Sequence, residues 1–563
     1  MSEPLRGVPA APGVASAPPW LPPTSGGGVL RPEVSLGEAA SRAAAELAGL
    51  RTRLVTAGRP EEAEIFGAQA LMAEDPELLD GAEALVAEGK PPDEAILAAG
   101  ESAAETLASL DDEVLSARAA DVRDVAARIA RILRGEEPPR LERRSIAVAL
   151  DLPPSVTAEL DPALLAGIAL EAGSRTAHAA ILSRALGIPA VVGVPGLLAA
   201  AETATEIAVD GGAGEVYLDP DGATSEEIGR RLGEATRRAA VDAGLRDRRL
   251  QTADGHRLML GANIGRPDEA ARAIEAGAEG VGLFRTEFMF MGRATPPDEA
   301  TQTAAYAKVL AEFGERPVVI RLIDLGGDKD LPYLPLPPEE NPFLGVRALR
   351  LADAGHEALI LTQLRAILAA GEKTGRQPWI MAPMVADLVD VYRLHELVSM
   401  AAFGKLWTVQ PRVGIMVEVP SVAMIAELVA PEVAFFSIGT NDLTQYLLAS
   451  DRTNPVLAAR QDPLHPAVLR TIMRVIEGGH ESGIPVAVCG EMAGDPVGAM
   501  ALAGLDIDEL SMDAGAFGAV KRAVGAVSLG ELREAAHHAM HLERASEARA
   551  VFDRILAEAT SPT

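Results

Sequence analysis

The sequence predicts an α/β multidomain chain: a compact α/β domain carrying an inserted all-α unit, followed by a C-terminal (β/α)8 TIM-type barrel. Three observations carry that prediction. Residues 142–220 hold short apolar runs separated by turns, residues 35–137 repeat aliphatic side chains at helical spacing, and from residue 256 onward strand-like runs alternate with helical ones. A composition that is 48% hydrophobic but only 3% aromatic suits many helices and close helix–sheet packing. A doubly wound open sheet is the alternative to the barrel.

In chain order, Gly7-Val8-Pro9-Ala10-Ala11-Pro12-Gly13-Val14-Ala15 reads as a short strand and loop, too small for a domain, and is expected to pair with a sheet formed later. Ser35-Leu36-Gly37-Glu38 has capping-box spacing ahead of an Ala/Leu run, and further helices are expected at 61–73, 76–88, 92–108 and 111–134. Strands are expected at Ile146–Leu150, Gly167–Leu170, Ala190–Gly193 and Ile207–Gly211. The charged stretch with Glu226, Glu227, Arg230, Arg231, Glu234, Arg237 and Arg238 reads as a solvated linker helix. Eight strand-like runs then follow: Leu258–Ile264, Gly280–Phe288, Val318–Leu325, Trp379–Val385, Gly414–Val419, Phe435–Asp442, Val486–Met492 and Glu509–Asp513. Eight is the number a (β/α)8 barrel needs. The expected domains are 1–30 with 138–222 (discontinuous α/β), 31–137 (helical), 223–250 (linker helix) and 251–563 (barrel).

Acidic residues outnumber basic ones 81 to 51, a formal charge of −30, which argues against nucleic acid as a partner and permits a basic protein. Cys489 is the one cysteine, so no internal disulfide forms and a reducing compartment fits. The N-terminus lacks a charged region followed by an apolar run, and no 18-residue apolar stretch occurs. A cytoplasmic protein with no membrane insertion is expected.

The chemistry centres on Gly173-Ser174-Arg175-Thr176-Ala177-His178, where a loop runs into a helix with one His in its first turn. Unpaired amides and the helix dipole favour an anion there, and Thr176 is placed to cap the helix and orient the imidazole. A neutral imidazole nitrogen can accept a phosphoryl group. In the barrel, reactive groups gather at strand ends: Arg285-Thr286-Glu287, Arg321 with Asp324 and Gly326-Gly327-Asp328-Lys329, Glu418, Asn441-Asp442, Cys489-Gly490-Glu491, and Arg452 shortly after. Arginine forks suit phosphate and carboxylate, Glu418 and Asp442 suit a shared Mg²⁺, and a thiol can protonate carbon. A three-carbon enol phosphate bearing a carboxylate would use all of them.

These motifs resemble the Enzyme I family of the bacterial phosphoenolpyruvate:sugar phosphotransferase systems, a branch of the PEP-utilising enzymes. The resemblance rests on Gly173–Gly193 around His178, GVGLFRTEF at 280–288, Asp324–Tyr333 with Glu340-Asn341-Pro342-Phe343-Leu344-Gly345, FFSIGTNDLTQY at 435–446, and Asp111–Asp124 in the helical unit. It implies that His178 is phosphorylated and that Arg285, Arg321, Asn441, Asp442 and Arg452 bind phosphoenolpyruvate. It also implies that Glu418 and Asp442 hold Mg²⁺, that Cys489 donates the proton that makes pyruvate, and that Thr176 and Lys329 support the two sites. By the same resemblance the protein is a homodimer through its barrel and passes the phosphoryl group to the phosphocarrier protein HPr.

Ser174 and Ala177 replace a Gly and a Ser common in the family, Gln69 stands where the helical domain often has His, and Asp513-Ala514-Gly515-Ala516-Phe517-Gly518 departs from the usual pattern. A pyruvate, phosphate dikinase or phosphoenolpyruvate synthase would need a large nucleotide-binding domain ahead of the His loop. Only about 100 helical residues stand there, without a Gly-rich phosphate loop. A catalytically silent regulatory paralogue would have no reason to keep every catalytic residue, and a Mg²⁺-dependent lyase of the pyruvate-barrel type would not need His178. His178 and the barrel lie on different domains, so a swivel about the segments near 140 and 221–250 is expected to carry the imidazole to the barrel. An engineered disulfide locking those segments should abolish turnover; full turnover in the locked protein would remove the swivel.

Overall fold

The computed structural model describes residues 3–22, 34–56, 60–108, 113–173, 183, 187–291, 293, 295–325, 331, 333–337, 339–452, 454, 457 and 460–560. It divides into two compact units, 1–237 and 238–563. No helix among the described residues is long and apolar enough to cross a membrane.

In the first unit the opening stretch is four short strands, β1 (Leu5–Arg6), β2 (Val8–Ala11), β3 (Val14–Ala17) and β4 (Pro19–Trp20). The other strands of their sheets come much later: β5 (Ser145–Ala149), β6 (Leu165–Leu170), β7 (Ala190–Val192), β8 (Ile207–Asp210) and β9 (Glu215–Leu218). Two sheets result, ordered β2-β7-β6-β5-β4 and β1-β9-β8-β3. β5 and β6 read as near-continuous apolar runs because both faces are covered. Ala147 and Ala149 face one core while Ile146 and Val148 face the other.

The inserted helices are α1 (Leu36–Thr56), α2 (Pro60–Ala73), α3 (Pro76–Ala87), α4 (Pro92–Ala108) and α5 (Glu113–Leu133). Ser35 Oγ accepts from the Glu38 N–H at 3.2 Å, as the capping spacing predicts. Leu47, Leu50, Phe66, Ile96 and Ile129 pack the centre. A Cβ on Gly100 would lie 2.4 Å from Ala126 Cβ, so only glycine allows α4 this close to α5. The insert is fastened to α6 (Pro154–Glu159) by charge rather than apolar packing alone. Arg128 bridges Glu159 at 2.8 Å and Glu46 at 2.7 Å, and Ser155 donates to Asp124 at 2.7 Å. Gln69 belongs to the same network, donating to Asp121 at 2.9 Å and Asp124 at 3.3 Å. It is fully buried, so its role is an internal one.

The second unit is a closed parallel barrel of β10 (Met259–Ile264), β11 (Gly280–Phe284), β12 (Val318–Arg321), β13 (Trp379–Ala382), β14 (Arg412–Val417), β15 (Phe436–Ile438), β16 (Val486–Val488) and β17 (Glu509–Met512). All eight expected strands form, and the open-sheet alternative falls because β10 pairs with both β11 and β17. Several strands end earlier than hydropathy predicts. Gly280–Phe288 stops at Phe284 and turns into a 3-10 segment at Thr286–Met289, while Phe435–Asp442 stops at Ile438 ahead of a helix at Thr440–Leu448. Val318–Leu325 likewise stops at Arg321, and Val486–Met492 at Val488. Thr286, Glu287, Leu322 and Ile323 are buried too, and a buried turn is as apolar as the strand it follows.

Leu283, Val319, Met381, Met416, Phe435 and Cys489 fill the barrel interior. One seam of that interior is polar: Ser511 donates to Asn263 Oδ1 at 2.7 Å, and Asn263 Nδ2 donates to the Cys489 carbonyl at 3.0 Å. Below them Glu509 Oε1 is buried without a hydrogen bond, in space that glycines leave, since a Cβ on Gly261 or Gly282 would come within 2.3 Å of it. Burial, reinforced by Asp508 and Glu279, pushes the Glu509 carboxyl up to about 7 from 4.5. A folded pKa above the unfolded one costs no stability below about 4.5 and progressively more as pH rises to about 7. Glu509→Gln should therefore melt higher than the parent at pH 8, with the gap closing below pH 4.5; a gap independent of pH in thermal melts would refute the assignment.

Candidate active site at the mouth of the barrel

The strand termini converge on a cavity of about 280 Å³. Arg285, Arg321, Glu418, Asn441, Asp442, Arg452 and Cys489, the seven barrel residues expected to carry binding and catalysis, all line it. Arg321 is the last residue of β12; Arg285, Glu418 and Cys489 each immediately follow a strand. Asn441 and Asp442 occupy the first turn of the helix Thr440–Leu448 rather than a strand end. His178, Thr176 and Lys329, together with Ser174 and Ala177, lie outside the described residues.

Charge of both signs interleaves across the cavity. Arg321 Nη2 reaches Glu287 at 2.8 Å and its Nη1 reaches Asp324 at 3.6 Å. Arg347 grips Asp324 with two bonds, Nε to Oδ1 at 3.0 Å and Nη2 to Oδ2 at 2.7 Å, and also reaches Asp442 Oδ2 at 3.3 Å. Arg452 Nη1 approaches Asp442 Oδ1 at 3.3 Å. Burial opposes charge on Arg321 and Arg347, but the carboxylates around them win and hold both guanidinium pKa values above normal. Asn441 Oδ1 accepts from the Glu491 N–H at 3.0 Å, which leaves its amide NH₂ as a donor with no hydrogen bond among the described residues.

Periodicity does not single out Arg347. It follows the Glu340–Gly345 motif on an irregular segment and faces the cavity only because the chain folds back between β12 and β13. Glu287 and Asp324 are visible in the sequence as strand-end acids; their part as anchors of Arg321 and Arg347 emerges only in three dimensions.

Glu418 is buried, and its Oε1 accepts from the Met384 N–H at 2.7 Å. Burial first, then Asp442 and Asp324, pushes its carboxyl up to about 8 against the pull of Arg347 and Arg321. Asp442 Oδ1 accepts no hydrogen bond among the described residues, and its one ion-pair contact there is Arg452 Nη1 at 3.3 Å. Two crowded carboxylates with an unfilled oxygen suit a hard divalent cation. No cluster of three or more ligating side chains occurs among the described residues, so such an ion would take its other ligands from water or a bound oxyanion. Burial also pushes the Cys489 thiol up to about 11, in spite of the Ser437 hydroxyl and Arg321. A thiol in that state keeps its proton at neutral pH, as a proton donor requires.

Arg347→Ala should leave Asp324 and Asp442 buried without their shared cation and cost about 3–5 kcal/mol in urea unfolding. Adding Asp324→Leu should recover part of the loss; strictly additive losses would show that the pair is not coupled.

Residues 240–529 match the family described as "PEP-utilising enzyme, PEP-binding domain", residues 141–214 its "mobile domain" and residues 6–118 its "N-terminal" part. A phosphoenolpyruvate-protein phosphotransferase of Bacillus subtilis is 40% identical over 486 residues, 85% of this chain and 85% of the relative. Another, of Haloferax volcanii, is 39% identical over 517 residues, 90% of each chain. A multiphosphoryl transfer protein of Rhodobacter capsulatus is 41% identical over 510 residues, 90% of this chain but 61% of the relative, so the chain spans about three-fifths of that longer protein. With three segments matched in order and two phosphoenolpyruvate-protein phosphotransferases covered over 85% and 90% of their length, the chain belongs to the PEP-utilising enzymes and, within them, to the phosphoenolpyruvate-protein phosphotransferases.

Proposed function

We propose that this protein transfers the phosphoryl group of phosphoenolpyruvate to His178, releasing pyruvate, and passes it on to the phosphocarrier protein HPr, the first step of sugar uptake by a phosphotransferase system. The observation that carries this reading is the convergence of four arginines, the crowded carboxylates Glu418 and Asp442 and the Cys489 thiol on one cavity at the C-terminal mouth of the barrel. Arg285, Arg321 and Arg452 bind the phosphate and carboxylate of the substrate, and Asn441 adds a neutral donor. Arg347 touches the cavity mainly through its grip on Asp324 and Asp442, so it positions them. Glu418 and Asp442 would hold Mg²⁺, which when bound neutralises charge on the phosphoryl oxygens. As an imidazole nitrogen of His178 attacks phosphorus, the bond from phosphorus to the enol oxygen breaks and its electron pair stays on that oxygen. The enolate then takes the Cys489 proton at its terminal carbon, giving pyruvate and a thiolate that solvent reprotonates.

The helical unit at 31–137 is the HPr-docking element in this reading, and the swing of the His178 domain delivers the phosphoryl group. The protein works in the cytoplasm, without nucleic acid or membrane insertion, as a homodimer through the barrel. What supports the homodimer is a set of exposed apolar side chains on the barrel, Val389, Tyr392, Phe403, Leu406, Met424 and Leu428. Tyr392→Glu with Leu428→Arg should sediment as a single chain, and an unchanged mass would rule this face out.

Incubation with labelled phosphoenolpyruvate and Mg²⁺ should give acid-labile, base-stable label on the protein. His178→Ala should bind phosphoenolpyruvate and take up none; label on that variant would end the reading. Cys489→Ala should slow pyruvate formation at least 100-fold, on the scale of a lost general acid, while barely changing substrate affinity. Equal losses in rate and affinity would deny Cys489 the proton-donor role.

A further inference from the structure

A second cavity, of about 580 Å³, opens on the barrel unit beside the reaction cavity and shares no lining residue with it among the described residues. Its size falls within the range of small-molecule sites. Phe343, Leu344, Val419 and Pro420 make it largely apolar. Two polar groups point to a ligand. Ser450 is 3% exposed and its Oγ has no hydrogen-bond partner among the described residues, a state that burial makes costly. Arg350 spends only Nη1, on the carbonyls of Leu344 at 3.0 Å and Gly345 at 3.1 Å, and forms no ion pair among the described residues. Glu340 and Asp451, exposed at the mouth, disfavour a second negative charge on any occupant.

The walls of this cavity are also the supports of the reaction cavity. Met384, held at a left-handed φ of 57°, gives its N–H to Glu418. Tyr446 accepts from Arg347 Nη1 at 3.3 Å and donates to the Phe343 carbonyl at 2.5 Å. Gln445 Oε1 accepts the Arg452 N–H at 3.0 Å, and the Arg452 guanidinium lies 5.4 Å from the Phe343 ring centroid.

We propose that this second cavity binds a small amphipathic monocarboxylate, its apolar body against Phe343 and Pro420 and its carboxylate on Arg350, and that occupancy alters phosphoenolpyruvate binding through Met384, Gln445 and Tyr446. The site itself stands apart from the phosphotransferase reading; its coupling rests on that reading.

Calorimetry on the full chain with 4-phenylbutyrate as probe should show one site per chain with a Kd of about 1 mM, the strength expected of a ligand of that size. Arg350→Ala and Ser450→Ala should each weaken binding about tenfold, and Ala449→Trp, which fills the space, should abolish it. Saturating 4-phenylbutyrate should shift the phosphoenolpyruvate Kd about fivefold in the parent and not in Ala449→Trp. No saturable heat, or heat that survives all three variants, overturns the site. A shift that persists in Ala449→Trp places the probe in the reaction cavity and overturns it equally. Half-site stoichiometry that changes with protein concentration assigns this face to a contact between two copies instead. Arg350-dependent probe binding in a protein that binds no phosphoenolpyruvate keeps the site, sinks the coupling and sinks the phosphotransferase reading.

Discussion

Buried charges of one sign cannot share a small cavity unless charges of the other sign are set between them. The mouth of this barrel meets that condition with Arg347. It is the most enclosed of the cavity's arginines, it holds Asp324 in a two-bond grip, and it reaches Asp442 from the same guanidinium. Arg321 is fixed in the same way by Glu287 and Asp324. The arginines are therefore in place before any substrate arrives, and little reorganisation is left for the moment of reaction. Burial, Asp442 and Asp324 hold Glu418 toward its neutral form, and a cation bound between Glu418 and Asp442 would favour its ionised carboxylate.

Burial acts on the remaining ionisable groups according to what each can find as a partner. Cys489 finds only weak ones, a carbonyl at 3.7 Å and the Ser437 hydroxyl, and stays protonated. Glu509, deeper in the barrel, finds none for Oε1 and is likewise held toward its neutral form. The first is a chemical asset in the proposed reaction. The second has no part in it, and the glycines at 261 and 282 give it room.

In the first unit the same balance serves attachment. The five-helix insert meets the α/β domain through Arg128, Asp124 and Ser155, with Gln69 completing the network. Such pairs require geometry more strictly than apolar contacts do, so they suit a junction that must keep one orientation. Gln69 supplies a donor where two aspartates need one.

Hydrophobic periodicity was enough to read the fold class and the number of barrel strands, because burial on a strand or helix face leaves its period in the sequence. Residue chemistry at or just after those runs was enough to pick out Arg285, Arg321, Glu418, Asn441, Asp442, Arg452 and Cys489 as side chains that line one cavity, since parallel strands of one barrel deliver their C-terminal ends to one place. Where each strand stops was not legible, for the turns after Phe284 and Arg321 are as buried as the strands. Nor was Arg347, which owes its place to a long segment folding back, a matter of chain path that no local period records. The second cavity, and the wall it shares with the first, exist only in the tertiary structure, because Phe343, Met384, Val419 and Tyr446 come from separate segments that packing alone brings together.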